Sequence, residues 1–274
     1  MDVRKYMKFA ILSDIHGNIF ALKECIKIID KMNIDRIIWC GDYITDIPKS
    51  HEVIRFIKKT MKKYESYIIR GNRENYIIEY NKSNNKDWAM DNRKGPLLCS
   101  YNELDKEDIE FISNLPENYI IDIPNMPKIF VSHKRNYNDG NDCMYKIFGH
   151  SHKQYIFERE NIKYINPGSV GLATGGKTGI EFAVLEINQD YHKIENYSLQ
   201  YDINEPIELI KNSLLDKTAI KWENALIKLI QTGIDYPDLY IKEAQRIAKE
   251  YGLDDDLDKI PIEVWNEARK SINI

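Results

Sequence analysis

The sequence predicts a layered α/β fold closed by a helical C-terminal segment. Three observations carry this expectation. Between Phe9 and Ile69, short apolar runs alternate with stretches whose apolar residues recur at helical spacing. Strand-like runs then crowd between Lys128 and Tyr197. From Pro206 to the end the pattern is helical again.

Taken in order, Phe9 to Leu12 reads as a buried strand, and Ala21, Leu22, Cys25, Ile26 and Ile29 mark a helix opening near Asn18. Ile37 to Trp39 makes the next strand. Val53, Ile54, Ile57 and Met61 mark a second helix with Ser50 as its expected N-cap. Tyr67 to Ile69 is a third strand, and a βαβαβ order of this kind implies parallel strands joined by helical crossovers. Asn81 to Gly95 is polar and reads as a loop, and Asp105 to Leu115 as a helix. The later strands, Lys128 to Val131, Tyr145 to Phe148, Lys163 to Ile165, Phe182 to Ile187 and Lys193 to Tyr197, suggest a second sheet packed on the first. The last helices span Ile207 to Leu215, Ala219 to Ile230, Tyr240 to Tyr251 and Pro261 to Ile272. The chain is accordingly read as a main domain over residues 1–203 and a helical extension over 204–274 packed on it.

Composition sets the broad class. Of 274 residues, 43% are hydrophobic and 30% charged, an ordinary balance for a globular protein with a sizeable core. A formal charge of −4 argues against bulk nucleic-acid binding, which leaves a basic footprint. Cys25, Cys40, Cys99 and Cys143 form no C-x-x-C pair, and Cys25 and Cys40 read as reduced core residues. Met1 to Lys8 is polar, and the apolar run behind it is too short for a secretion signal or a membrane span, so a cytoplasmic location with no membrane partner is expected. Lys58, Lys59, Lys62 and Lys63 read as a solvated helix face.

The informative feature is where the metal-capable side chains fall. Asp14-Ile15-His16 follows the first strand, Gly41-Asp42 the second and Gly71-Asn72 the third. His133 follows the strand ending at Val131, and Gly149-His150-Ser151-His152 the strand ending at Phe148. Ligand sites in open α/β sheets form at the carboxyl ends of parallel strands. Carboxylate and imidazole together suit first-row transition metals. A lone Asp-x-His or Gly-Asp is common, but here four of the six histidines sit just past strands, leaving only His51 and His192 elsewhere.

The ordered set Asp-x-His, Gly-Asp, Gly-Asn-x-Glu, His and Gly-His-x-His resembles the calcineurin-like metallophosphoesterase superfamily over roughly residues 8–200. Asp14 to Asn18 and Asn166 to Ser169 are similar to its compact bacterial branch, which includes small phosphodiesterases and asymmetrical diadenosine tetraphosphate hydrolases. The resemblance implies a four-layer α/β/β/α sandwich of two mixed sheets. It implies two divalent or mixed-valence ions, drawn from manganese, iron, zinc or cobalt. Asp14, His16 and His152 would hold the first, Asn72, His133 and His150 the second, and Asp42 would bridge both. Glu74 is expected to orient a ligand from behind, and Asn18 either to donate to a substrate phosphate or simply to cap the helix that follows it. No chemistry is assigned to Asn166 to Ser169.

One departure matters. The family usually carries a histidine after Gly-Asn, thought to protonate the leaving group, and Arg73 stands there. Asn72 and Arg73 are therefore the expected catalytic side chains, with Arg73 also touching substrate. Tyr43-Ile44-Thr45-Asp46 replaces the Asp-Arg-Gly of protein Ser/Thr phosphatases, which speaks against that role. The expected activity is hydrolysis of a phosphoanhydride or activated phosphodiester, with a small nucleotide as substrate and oligomerisation left open. The alternative is a non-catalytic scaffold on the same fold, as in the small subunit of the retromer coat.

Overall fold

Apolar runs buried on both faces dictate the centre of the molecule. In the computed structural model, which describes residues 6–135, 140 and 142–274, β1 (Met7–Leu12) points Phe9 and Ile11 one way and Ala10 and Leu12 the other. β2 (Arg36–Trp39) repeats the pattern with Ile38 against Ile37 and Trp39. The Ala10 and Leu12 side packs under α1 (Ile19–Ile29) and α2 (Ser50–Met61) through Leu22, Cys25, Val53 and Ile57. The Phe9 and Ile11 side meets a second sheet at Val131, Tyr145, Ile147 and Ile165. Residues 1–5 of the polar N-terminal stretch lie outside the described residues.

Two mixed five-stranded sheets result. The first has the order β10-β9-β1-β2-β3, with β1, β2 and β3 (Glu65–Ile68) parallel, as the βαβαβ reading requires. The second has the order β4-β5-β6-β8-β7, in which β5 (Ile129–Ser132), β6 (Tyr145–Phe148) and β8 (Ile162–Asn166) run parallel. β4 (Asn118–Ile121) and β7 (Tyr155–Arg159) are its antiparallel edges, two short strands that the sequence reading did not mark. Phe130, Phe148 and Tyr164 close its outer face.

The late strands correct one expectation. β9 (Ile180–Ile187) and β10 (His192–Leu199) join the first sheet rather than the second, with β9 antiparallel to β1. All eight residues of β9 are buried, which suits a place between two strands with both faces covered.

Nine α-helices are present among the described residues. α3 (Asn72–Lys82) and α4 (Gly95–Glu103) flank the shortened loop, and α5 (Lys106–Ser113) follows. Ser50 is the first residue of α2 rather than its cap. Its Oγ accepts from Thr45 N–H, while Glu103 of α4 accepts from the Lys49 and Ser50 N–H groups at 3.0 and 2.8 Å. α6 (Asn204–Lys211), α7 (Trp222–Thr232), α8 (Tyr236–Glu250) and α9 (Ile262–Ser271) build a second core around Leu226, Tyr240 and Trp265. Ile47 and Leu172 from the site loops belong to that core, so the C-terminal helices sit directly on them. Among the described residues no helix is long and apolar enough to cross a membrane.

Candidate metal centre

Four strand ends, those of β1, β2, β5 and β6, bring two groups of ligand atoms together. Asp14, His16 and His152 form one group and Asp42, His133 and His150 the other, each with its ligand atoms within 4.8 Å of one another. His152 Nε2 lies 3.3 Å from Asp14 Oδ1, and His133 Nε2 lies 3.2 Å from Asp42 Oδ2. Asp42 Oδ2 is also 3.9 Å from His16 Nε2, so this carboxylate faces both groups.

The imidazoles are prepared as ligands. His16 Nδ1 lies 2.8 Å from Asp46 Oδ2, His133 Nδ1 2.7 Å from Cys40 O, and His152 Nδ1 2.8 Å from Leu172 O. Each acceptor holds a proton on Nδ1, so the inward-facing Nε2 is the atom left to offer a lone pair once any proton on it is displaced. His16 and His152 then present Nε2 atoms 3.0 Å apart. His133 Nε2, close to Asp42 but out of hydrogen-bond alignment, and Asn72 Oδ1 are buried without a hydrogen-bond partner. Asn72 Oδ1 is a buried acceptor with nothing to accept, and His133 Nε2 becomes one when its proton is displaced, so the residues present suit the two ions expected there.

The electrostatics point the same way. Burial alone would lower the His16 and His133 imidazoles. The Asp14 and Asp46 carboxylates instead lift His16 to about 9, and Asp42 lifts His133 to about 10. Burial would raise Asp42, but His133 and His16 hold it down at about 2.

Holding these groups strains the backbone. Asp14, His16, Asp42, His150 and His152 all lie at φ between 50 and 67°, a region that costs a non-glycine residue of order 1 kcal/mol or more. Thr45 and Asp46 join them at 75 and 64°. Glu74, fully buried, offsets this by tying two loops together. Its Oε2 accepts from Gly71 and Asp42 N–H at 2.7 and 2.9 Å, and its Oε1 from Tyr43 N–H at 2.8 Å. Gly71 is required by proximity: a Cβ there would stand 2.2 Å from Asp42 Oδ1. The same closeness lets Arg73 N–H donate to Asp42 Oδ1 at 2.8 Å.

Asp46 is the residue that sequence reasoning missed. One oxygen accepts from His16 and lies 3.2 Å from Arg73 Nη2, and the other accepts from Trp222 Nε1 at 3.0 Å. Burial would raise this carboxyl, but the Arg73 charge and the His16 and Trp222 donors keep it well below the usual carboxylate range. Nothing local in Thr45-Asp46 marks it, because its partners are 30 and 176 residues away.

The remaining expected residues fall as follows. Arg73 opens toward a cavity of about 600 Å³ that Asn72 and His150 also line. Asn18 donates both amide protons, to Gly171 O and Tyr201 Oη, and accepts from Ala21 N–H, so it caps α1 and leaves no donor for a phosphate. Asn166 holds the Gly149 turn through a 2.7 Å bond to Gly149 O. His51 is bonded to Asp108 of α5 and does not line the cavity.

A family model described as the calcineurin-like phosphoesterase superfamily domain matches residues 7–190. A curated phosphodiesterase of Methanocaldococcus jannaschii is 23% identical over 173 residues, covering 62% of this chain and 88% of the relative. A metallophosphoesterase of Sphaerobacter thermophilus has a similar structure, with a TM-score of 0.64 at 17% identity over 84% of this chain and all of that one. A hypothetical protein of Pyrococcus horikoshii gives 0.65 at 18% identity, over 83% and 98%. At these identities the two structures speak for the fold.

Two outcomes follow from the geometry. Glu74→Gln sets an amide NH2 against backbone donors, so stability should fall by ~1–3 kcal/mol and metal affinity by ~10–100-fold. Urea unfolding and metal retained after gel filtration measure the two, and no change in either would contradict the clamp. Metal binding must also displace protons from His16 and His133, which the neighbouring carboxylates keep charged at neutral pH. Affinity measured against a competing chelator should therefore rise between about pH 6 and 8 with release of protons, and a flat profile would contradict this.

Proposed function

The chain belongs to the calcineurin-like phosphoesterase superfamily, and from that premise we propose that it is a dinuclear metal-dependent hydrolase. Its substrate is a phosphoanhydride or activated phosphodiester of a small nucleotide, such as a dinucleoside polyphosphate. The observation that carries this reading is the set of three histidines anchored at Nδ1 with Nε2 turned to two buried carboxylates. A binding scaffold has no need of imidazoles prepared in that way.

Asp14, His16 and His152 would hold one cation, Asn72, His133 and His150 the other, and Asp42, which faces both groups, would serve both. Bound there, such a pair supplies a water of lowered pKa and a positive clamp for the phosphoryl oxygens. The protein's part is positional. Asp46 fixes the His16 ring, Cys40 O and Leu172 O fix those of His133 and His152, and Glu74 fixes the loop that carries Asp42.

Arg73 sets the substrate class. It is 26% exposed, pairs with Asp46 through Nη2, and lines the cavity beside Asn72. A guanidinium does not release its proton near neutral pH, so it gives no general acid. It offers instead a planar fork that suits phosphate oxygens. An alkoxide leaving from phosphoserine needs a proton, whereas a phosphate leaving from an anhydride is already stable as an anion.

The Mn(II)-loaded protein should therefore hydrolyse a dinucleoside polyphosphate faster than a phosphoserine peptide by about 10²-fold or more in kcat/KM, the usual worth of a placed acid. Arg73→His should raise alkyl phosphate hydrolysis relative to anhydrides, and Arg73→Ala should hurt anhydrides most. Equal rates on phosphoserine and polyphosphate would contradict this assignment.

A further inference from the structure

The cavity that opens onto the metal centre reaches well beyond it. α3 forms one wall, where Arg73, Tyr76 and Tyr80 fall on one stripe of the helix. The opposite wall comes from the C-terminal helices, with Trp222 on α7, Ile241 on α8 and Trp265 on α9. Trp88, stacked on Tyr80 at 3.9 Å, also lines it. At about 600 Å³ the cavity has the size of a small-molecule site.

Resting on the hydrolase reading above, we infer that this cleft seats a nucleobase, carried on the substrate beside the phosphate that is cleaved. Two observations point to a flat heterocycle rather than an aliphatic chain or a second phosphate. First, aromatic rings line much of the cleft: Tyr76 and Tyr80 of α3, Trp88, and Trp222 and Trp265 of the C-terminal helices. A base presents a flat ring face that stacks on such rings, which an alkyl chain or a phosphate lacks. Second, the cations away from the metal centre are already paired. Arg93 is bonded to Asp258, and Lys94 lies 3.1 Å from Asp87 and 3.4 Å from Asp258. That end of the cleft therefore suits an uncharged group.

Tyr76 is 40% exposed and stands one turn beyond Arg73, placed to stack on a base whose phosphate meets the guanidinium. Base–aromatic stacking is worth ~1–3 kcal/mol per base, or about 5–150-fold in affinity. Because the second wall lies outside residues 7–190, the C-terminal helices contribute part of this specificity beyond what the family model covers.

Two readouts test this together. Titrating the protein with adenosine, which carries no phosphate, should quench tryptophan fluorescence, and Tyr76→Ala should weaken that binding about 5-fold or more. With Mn(II) present, wild type should prefer ATP over inorganic tripolyphosphate by about 10-fold in kcat/KM, and Tyr76→Ala should shrink that ratio. Adenosine quenching without hydrolysis of either polyphosphate would sink the hydrolase reading while leaving the base site standing. Hydrolysis of both polyphosphates at equal rates, with no response to adenosine, would overturn the base site alone.

Discussion

The site depends on one buried carboxylate that is not itself a ligand. Glu74 gathers N–H groups from Gly71, Asp42 and Tyr43, and so binds the end of β2 to the start of α3. The Asp42 loop is under strain, with Asp42 at φ 55°, and the space beside its carboxylate leaves room at position 71 for glycine alone. Burial and the adjacent Asp42 charge push the Glu74 carboxyl upward, while the N–H donors pull it back. A group in that position stays in place because its loss would leave several buried donors unpaired at once. The placement of Asp42 and Asn72 rests on it.

A second tie runs the other way, from the site into the C-terminal helices. Asp46 joins His16 to Trp222 and Arg73 through one buried carboxylate. The His16 ring, the Arg73 fork and a wall of the cleft are therefore held as one unit. Ile47 continues the link, since it belongs to the C-terminal core while its N–H donates to His16 O at 3.0 Å. In this chain the helices beyond the matched family region help to build the site rather than merely covering it.

Six candidate ligands were legible in the sequence because residue type and position said the same thing. Each is a carboxylate or imidazole just past an apolar run, and the two clusters of ligand atoms contain all six. Asn72 was legible from the family pattern, and its partnerless Oδ1 agrees with it. Asp46 was silent because its importance lies in long-range partners, not in its neighbours along the chain. α3 was silent for a different reason: Asn72-Arg73-Glu74-Asn75 is polar, and the helix buries Glu74 and Ile77 near the site while turning Arg73 and Tyr76 to the cleft. β9 read correctly as a strand, but its sheet could not be read, because an all-apolar run fits the middle of either one.

The central claim is that two cations share Asp42. Electron paramagnetic resonance of the protein titrated with Mn(II) addresses it directly, because exchange coupling requires two ions joined through a common ligand. The account predicts a spin-coupled signal that saturates at two equivalents per chain and is lost in Asp42→Asn. A spectrum of isolated Mn(II) ions throughout the titration, or saturation at one equivalent, would contradict it.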